Sequence, residues 1–194
     1  MKQKLIENNY LFVPSFISSE RAEELAEEFC AEEKLGNLIL DPQCPKSPAM
    51  YDFMPFLRLM VEKVPHVSEL IGEPVLPTYT YARIYNKGEI LHRHRDRPAC
   101  EVSLTLNLRK TSDWPIWVQK PNGEEVLLNQ NAGDAMLYLG CVADHWREPY
   151  LGDHHVQVFL HYVRANGPKS WAYFDKQQQQ NPTAPNDTLP VSIL

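Results

Sequence analysis

The sequence contains no run of about eighteen apolar residues, the least that a membrane-crossing helix needs, so no membrane partner is expected. Its opening residues, MKQKLIENNY, lack the apolar stretch of a secretory signal. Four cysteines, Cys30, Cys44, Cys100 and Cys141, lie far apart and form no CxxC pair. That excludes the usual zinc knuckle or redox dithiol and agrees with thiols kept reduced in the cytoplasm. Positive charge is in deficit, with 19 Lys and Arg against 25 Asp and Glu and a formal net charge of −6. No nucleic-acid partner is expected from such a balance. No internal repeat is present. What remains is a chain of 194 residues, 43% hydrophobic, which is long enough to bury one sizeable core.

The first 75 residues read as helical support. Tyr10 to Val13 is a short strand, and the Ser18–Ser19 pair then opens a helix. In that helix Ala22, Leu25, Ala26 and Phe29 repeat at i, i+3, i+4 and i+7, with Glu20 and Glu23 near its positive end. Asp41 to Pro48 holds three prolines and reads as loop, and Pro55 to Lys63 as a second helix that Pro65 interrupts. The texture changes at residue 76. Up to about residue 165 short β-branched and aromatic runs alternate with turn residues, giving candidate strands at 79–85, 89–96, 101–108, 116–119, 125–128, 135–139, 145–148 and 155–163. About eight short strands with close turns predict a double-sheet barrel or jelly roll, mainly β, with the helices packed on one sheet. The expected organisation is one domain over residues 1–176. From about Gln177 the chain is poor in apolar residues and is expected to be a flexible tail.

The densest polar cluster is Leu91-His92-Arg93-His94-Arg95-Asp96-Arg97. In a strand alternate side chains share a face. His92, His94 and Asp96 then point one way, and the three arginines point to solvent. His94 and Asp96 supply two metal ligands, and His145, beyond the strand that starts at Gly133-Asp134, supplies a third. Two imidazoles and a carboxylate leave coordination positions open, as non-haem Fe(II) requires, and catalytic zinc can use similar ligands. A pairing of His92 with His94, with Asp96 behind them, is the alternative ligand choice. Trp114, Trp117, Trp146 and Trp171 read as core or rim residues.

Taken in order, these pieces resemble the Fe(II)/2-oxoglutarate-dependent dioxygenases, in particular the prolyl 4-hydroxylase-like branch. The entry segment Asn9 to Ile17 with its acidic helix, the run Arg83-Ile84-Tyr85-Asn86-Lys87-Gly88 leading into His94-x-Asp96, Gly133-Asp134-Ala135, and the distal His145 all match, over roughly residues 5 to 165. The resemblance implies a double-stranded β-helix with Fe(II) at one open end, held by His94, Asp96 and His145. It further implies 2-oxoglutarate as co-substrate, O2 as oxidant, and hydroxylation of a C–H bond. Tyr85 matches a tyrosine that donates to 2-oxoglutarate.

The sequence departs from the branch where a basic residue should meet the far carboxylate of 2-oxoglutarate. At the start of the last strand the chain reads Gly152-Asp153-His154-His155-Val156-Gln157, so His155 occupies that place. Arg147 is the preferred replacement, because two residues after His145 it shares the ligand's face and its fork grips a carboxylate. Arg109 is next, on alternate spacing with Ser103, Thr105 and Asn107, and His155 and Gln157 are further donors. Two other readings stand beside the oxygenase: a cupin-like metalloenzyme without 2-oxoglutarate, and a jelly-roll binding module without catalysis. A small molecule or a peptidyl side chain fits as substrate, with contacts expected from the 41–51 loop.

Overall fold

The computed structural model describes residues 2–176; the expected tail beyond them lies outside the described residues. Among the described residues no helix is long and apolar enough to cross a membrane. Helix α1 (Lys2–Asn8), strand β1 (Tyr10–Val13), helix α2 (Ser19–Lys34), strands β2 (Ile39–Asp41) and β3 (Cys44–Tyr51), and helices α3 (Met54–Glu62) and α4 (Val64–Ile71) come first. Then follow β4 (Val75–Asn86), β5 (Leu91–His94), β6 (Val102–Lys110), β7 (Ile116–Gln119), β8 (Glu125–Leu128), β9 (Ala135–Tyr138), β10 (His145–Arg147) and β11 (His154–Arg164). They form a seven-stranded sheet, β1-β9-β6-β11-β4-β3-β2, and a four-stranded sheet, β5-β10-β7-β8. The architecture is mainly β with helices, two antiparallel sheets arranged as a double-stranded β-helix.

The large sheet is two-faced because its strands alternate two kinds of residue. Leu104, Leu106 and Leu108 of β6 and Val156, Val158 and Leu160 of β11 join the apolar cluster under the helices. Helix α2 contributes Ala22, Leu25, Ala26 and Phe29 to it, all fully buried. Its Ser18 cap holds the first turn by accepting from the Arg21 amide at 3.1 Å. The residues between them, Ser103, Thr105 and Asn107 on β6 and His155, Gln157, Phe159 and His161 on β11, are buried as well and face the barrel interior. A polar interior is costly unless its groups are paired.

Several expectations change. The 41–48 stretch is not a loop: it belongs to a β2–β3 hairpin at the sheet edge. Its pairing shifts register between Ile39↔Ala49 and Asp41↔Cys44, and Pro45 and Pro48 fall in that irregular stretch, where a missing N–H is tolerated. The N-terminal support is therefore not purely helical, since β1, β2 and β3 all join the large sheet. Helix α1 was not anticipated, and Pro65 starts α4 instead of merely ending α3.

The Gly133-Asp134 pair clasps the entry segment to the barrel. Asp134 accepts from the Ser15 amide through Oδ1 and from the Asn131 amide through Oδ2, each at 2.9 Å. Gly133 has φ +86°, and a Cβ there would collide with the Ile17 carbonyl. Gly133→Ala combines left-handed strain with that collision, and should lower stability by ~2 kcal/mol or more. Urea denaturation of the variant checks this; a loss within experimental error of zero would contradict the clasp.

Candidate metal centre

Neighbouring strands of the small sheet put the two histidines side by side. His94 at the end of β5 pairs across the ladder with His145 at the start of β10. Their ring centroids are 4.3 Å apart. Asp96 follows β5, with its amide bonded to the Gly140 carbonyl at 2.9 Å. Asp96 Oδ1 lies 3.7 Å from His94 Nε2 and 3.6 Å from His145 Nε2. Ligands about 2.1 Å from one ion and at right angles to each other sit about 3 Å apart. The ligand atoms all lie within 4.8 Å of one another and form a candidate metal group, which an ion would draw somewhat closer together.

Each ligand has its other polar atom tied down. His94 Nδ1 donates to the His92 carbonyl at 2.7 Å and His145 Nδ1 to the Ala143 carbonyl at 3.0 Å. With the proton on Nδ1, both Nε2 lone pairs are left for a metal. Burial pushes the His145 imidazole below its ordinary value, which keeps it in the neutral, ligating form. Asp96 Oδ2 accepts from Ser103 Oγ at 2.8 Å, leaving Oδ1 for the centre. Ser103 has one hydrogen. If Asp96 takes it, His161 Nδ1–H must be the donor in the 2.9 Å contact with Ser103 Oγ. His161 is pushed down to about 4, chiefly by burial, so it is neutral. Gly140 packs so closely that a Cβ would collide with Asp96 Oδ2 and the Cys100 carbonyl. Sequence reasoning missed both Ser103 and Gly140. The alternation that puts Ser103 on the polar face of β6 is the available signal for the first, and nothing local marks the second.

The expected sorting of the 91–97 run holds only in part. His145 pairs with His94 but Arg147 pairs with Leu91, so β5 bulges between them. The bulge turns His92 to solvent, away from His94 and Asp96, and leaves only its carbonyl in use. Arg93 does point outward and Arg95 stands largely exposed at the rim of the cavity; both bond Asp144. Arg97 instead lines the cavity at the centre, 4.4 Å above the Tyr79 ring and bonded to Asp175 at 2.7 Å.

The cavity measures about 250 Å³, and its walls include His94, Asp96, His145, Tyr85, Leu91 and Tyr138. Arg147 lies deeper on β10. It is 2% exposed, donates to the Trp114 carbonyl and to Gln130 Oε1, and sits 4.8 Å over the Trp114 ring. Among the described residues no carboxylate lies within 4.0 Å of it, and burial lowers it to about 10. His155 comes to the same place from the opposite sheet, its ring 5.2 Å from Trp114 and 6.2 Å from Tyr85. It gives Nε2–H to Gln157 Oε1 at 2.7 Å, and its Nδ1 has no partner. In that form His155 offers a carboxylate nothing; turning the Gln157 amide would hand the ring's proton to Nδ1. Arg109 is elsewhere. Val156 pairs with Arg109 but Gln157 with Asn107, so β6 bulges at Leu108 and flips Arg109 onto the helix side. There it pairs with Glu23 of α2.

Two outcomes test this geometry. Gly140→Ala should weaken Co(II) or Fe(II) binding ~10- to 100-fold by displacing Asp96, read by metal titration; unchanged affinity would mean that Asp96 is not held by this packing. His155 is the second case. Burial pushes it down to about 3 from 6.5. Between those values the unfolded chain carries the extra proton, so stability rises with pH and is lost as pH falls below about 6.5, with a slope from this group of about 1.4 kcal/mol per pH unit. His155→Gln should flatten the pH dependence of the urea midpoint by about one proton, and an unaltered slope would contradict the buried neutral ring.

No family model and no curated protein matches the chain. Solved structures do. A Pseudomonas putida prolyl-4-hydroxylase aligns with TM-score 0.68 and 16% identity, over 84% of this chain and 96% of that one. HygX from Streptomyces hygroscopicus, with nickel and 2-oxoglutarate bound, aligns with TM-score 0.67 and 14% identity, over 84% and 86%. The non-heme alpha ketoglutarate dependent epimerase SnoN from nogalamycin biosynthesis aligns with TM-score 0.70 and 14% identity, over 97% and 91%. At such identities the likeness speaks for the backbone arrangement, and the chain has the double-stranded β-helix fold of the 2-oxoglutarate/Fe(II) oxygenases.

Proposed function

We propose that residues 1–176 form one domain, a non-haem Fe(II)- and 2-oxoglutarate-dependent oxygenase that hydroxylates a C–H bond of a small-molecule or peptidyl substrate. The observation that carries the co-substrate is Arg147: a buried cation without a carboxylate partner among the described residues, one strand position pair beyond the candidate ligand His145. Leaving an arginine unpaired in a dry interior is costly. A dicarboxylate reaching in from the centre would supply the missing charge.

The donor set suits the metal. Two neutral imidazoles and one ionised carboxylate, on one side of the ion, leave positions open for a chelating co-substrate and for O2. Bound there, Fe(II) with 2-oxoglutarate and O2 supplies the oxidising chemistry. The residues of the chain position and insulate. His94, Asp96 and His145 hold the ion, with Ser103 and Gly140 keeping Asp96 in place. Arg147 has five N–H donors and spends two of them on Trp114 and Gln130, so others remain for the far carboxylate. Tyr85 is the second donor. Burial holds its phenol well above the ordinary range, so it keeps its proton to give. His155 serves as a neutral wall beside them, and Leu91 and Tyr138 exclude water. The solved structures of this fold include a hydroxylase, an epimerase and a carbocyclase; hydroxylation is the outcome proposed for this chain.

Anaerobic reconstitution with Fe(II) and titration with 2-oxoglutarate should produce a weak visible charge-transfer band. His94→Ala, Asp96→Ala and His145→Ala should each abolish it. Arg147→Ala should weaken 2-oxoglutarate binding about 30-fold or more, the scale of removing one partner from a buried charge pair, and Arg109→Ala should leave it nearly unchanged. Metal binding without the band would favour a metalloenzyme that does not use 2-oxoglutarate. Equal losses in the two arginine variants would overturn the choice of Arg147.

A further inference from the structure

Apart from the deep Arg147, the arginines around the cavity are matched one by one with acids. Arg83 pairs with Asp41, Arg95 with Asp144 and Arg97 with Asp175. Lys176 has no carboxylate within 4.0 Å among the described residues. Its ammonium rests on ring faces instead, 4.7 Å from the centroid of Tyr51 and 5.9 Å from that of Tyr79. The neighbouring Asp175 is buried and holds Arg97 at 2.7 and 3.4 Å, which anchors the segment where Lys176 can reach those rings.

The rings belong to the wall of the candidate active site. Tyr51, Tyr79 and Tyr81 line the same cavity as His94, Asp96 and His145. Tyr51 is packed 4.6 Å from Tyr81 and 5.8 Å from Tyr79, and is 44% exposed, so a solute can approach its face. Aromatic faces carry negative potential and attract ammonium groups. At the Tyr51 side of the cavity, away from Arg147, an anion would have to break one of the three ion pairs to find a free cation. Arg97 and Arg83 already lie over Tyr79 and Tyr81, at 4.4 and 5.2 Å, each held by its acid, so a further cation meets the Tyr51 face and there has only to displace Lys176.

We infer that Tyr51, Tyr79 and Tyr81 form a subsite for an alkylammonium group of the substrate, with Lys176 as its internal stand-in. The assignment to substrate rests on the reading of this cavity as an oxygenase active site. The cation preference itself rests on the rings and on Lys176. Asp41, bonded to Tyr81 and Arg83, stiffens one side of the cage. The substrate class is therefore an amine that is protonated at neutral pH, either a free small molecule or a lysyl side chain.

The test is calorimetric or NMR titration of the full chain at constant ionic strength. The probes are n-butylammonium, butyrate, 1-butanol and the peptide acetyl-Gly-Lys-Gly-amide. The ammonium probes should bind and the alcohol should not, and in an Arg147→Ala background, which removes the proposed carboxylate site, the anion should not bind either; the relative affinity of butylammonium and peptide tells the two amine sources apart. Lys176→Ala should tighten ammonium binding ~3-fold or more by removing the competitor. Adding Tyr51→Ala should weaken it by about fivefold or more, with Tyr51→Phe retaining it, because the face and not the hydroxyl is used. Preferential binding of butyrate that survives Arg147→Ala, no gain from Lys176→Ala, or full affinity without the Tyr51 ring would each overturn the inference. The Fe(II)/2-oxoglutarate band is recorded in parallel on the unaltered chain. Ammonium binding without that band sinks the oxygenase reading and keeps the cation site; the band without ammonium binding does the reverse.

Discussion

Three lone pairs must point at one spot, and side chains left to themselves rotate. In this chain the rotation is stopped by using up the opposite atom of each ligand. Both histidines do it in the same way, giving Nδ1–H to the carbonyl two residues earlier, His92 for His94 and Ala143 for His145. Each ring is thus set by its own strand, and the strands are set side by side by the ladder between β5 and β10. The carboxylate has no such local device. Asp96 depends on Ser103 from the opposite sheet and on the bare backbone at Gly140. The candidate centre is therefore a property of the closed barrel, since without β6 facing β5 the third ligand would be free to turn.

The same closure explains how a polar interior is tolerated. The large sheet spends one face on the helices, where alternation supplies leucine and valine, and turns Ser103, Thr105, Asn107, His155, Gln157 and His161 inward. Nearly all of these groups find partners on neighbouring strands, as in the bonds Gln157 to Thr105 and Asn107 to the Gln130 carbonyl. The exceptions are informative: among the described residues Asn107 Oδ1 and His155 Nδ1 are buried without a partner, and Arg147 has donors but no acid. Unmet polar groups gathered at one depth of a barrel mark where a polar ligand would be stabilising.

Alternation and order made much of this legible. Runs of β-branched and aromatic residues between turn residues locate β6, β7, β8, β9 and β11 to within two residues, and the order of His94, Asp96 and His145 is enough to select residues that do converge. Two of the differences share one cause. His92 and Arg109 were assigned faces by counting in twos, and each lies beside a register shift, in β5 and in β6, that no residue type announces. One extra residue flips everything beyond it. The β2–β3 hairpin was hidden for a related reason, because its prolines are excluded from a regular ladder but not from an irregular edge. Arg97 faces inward to a buried partner, Asp175, which lies 78 residues along the chain and is invisible to any local window.

On the proposed reading, Arg147 supplies from another strand the charge that the resemblance places at the start of the last one. The resemblance calls for a basic residue at the start of the last strand, and His155 stands there. Yet β10 and β11 belong to opposite sheets, and their inward side chains meet at mid-barrel. Trp114 marks the meeting point: the Arg147 guanidinium lies 4.8 Å from its ring and the His155 ring lies 5.2 Å from it on the other approach. A charge at that depth can be delivered from either sheet with little change in where it acts. Moving it to β10 also moves it to the strand that carries His145, so metal ligand and cation are spaced by a single backbone repeat. Ring and guanidinium cannot both be charged in so dry a place. The pressure that Arg147 exerts on His155, added to burial, keeps the histidine neutral and leaves one positive charge where one carboxylate would sit.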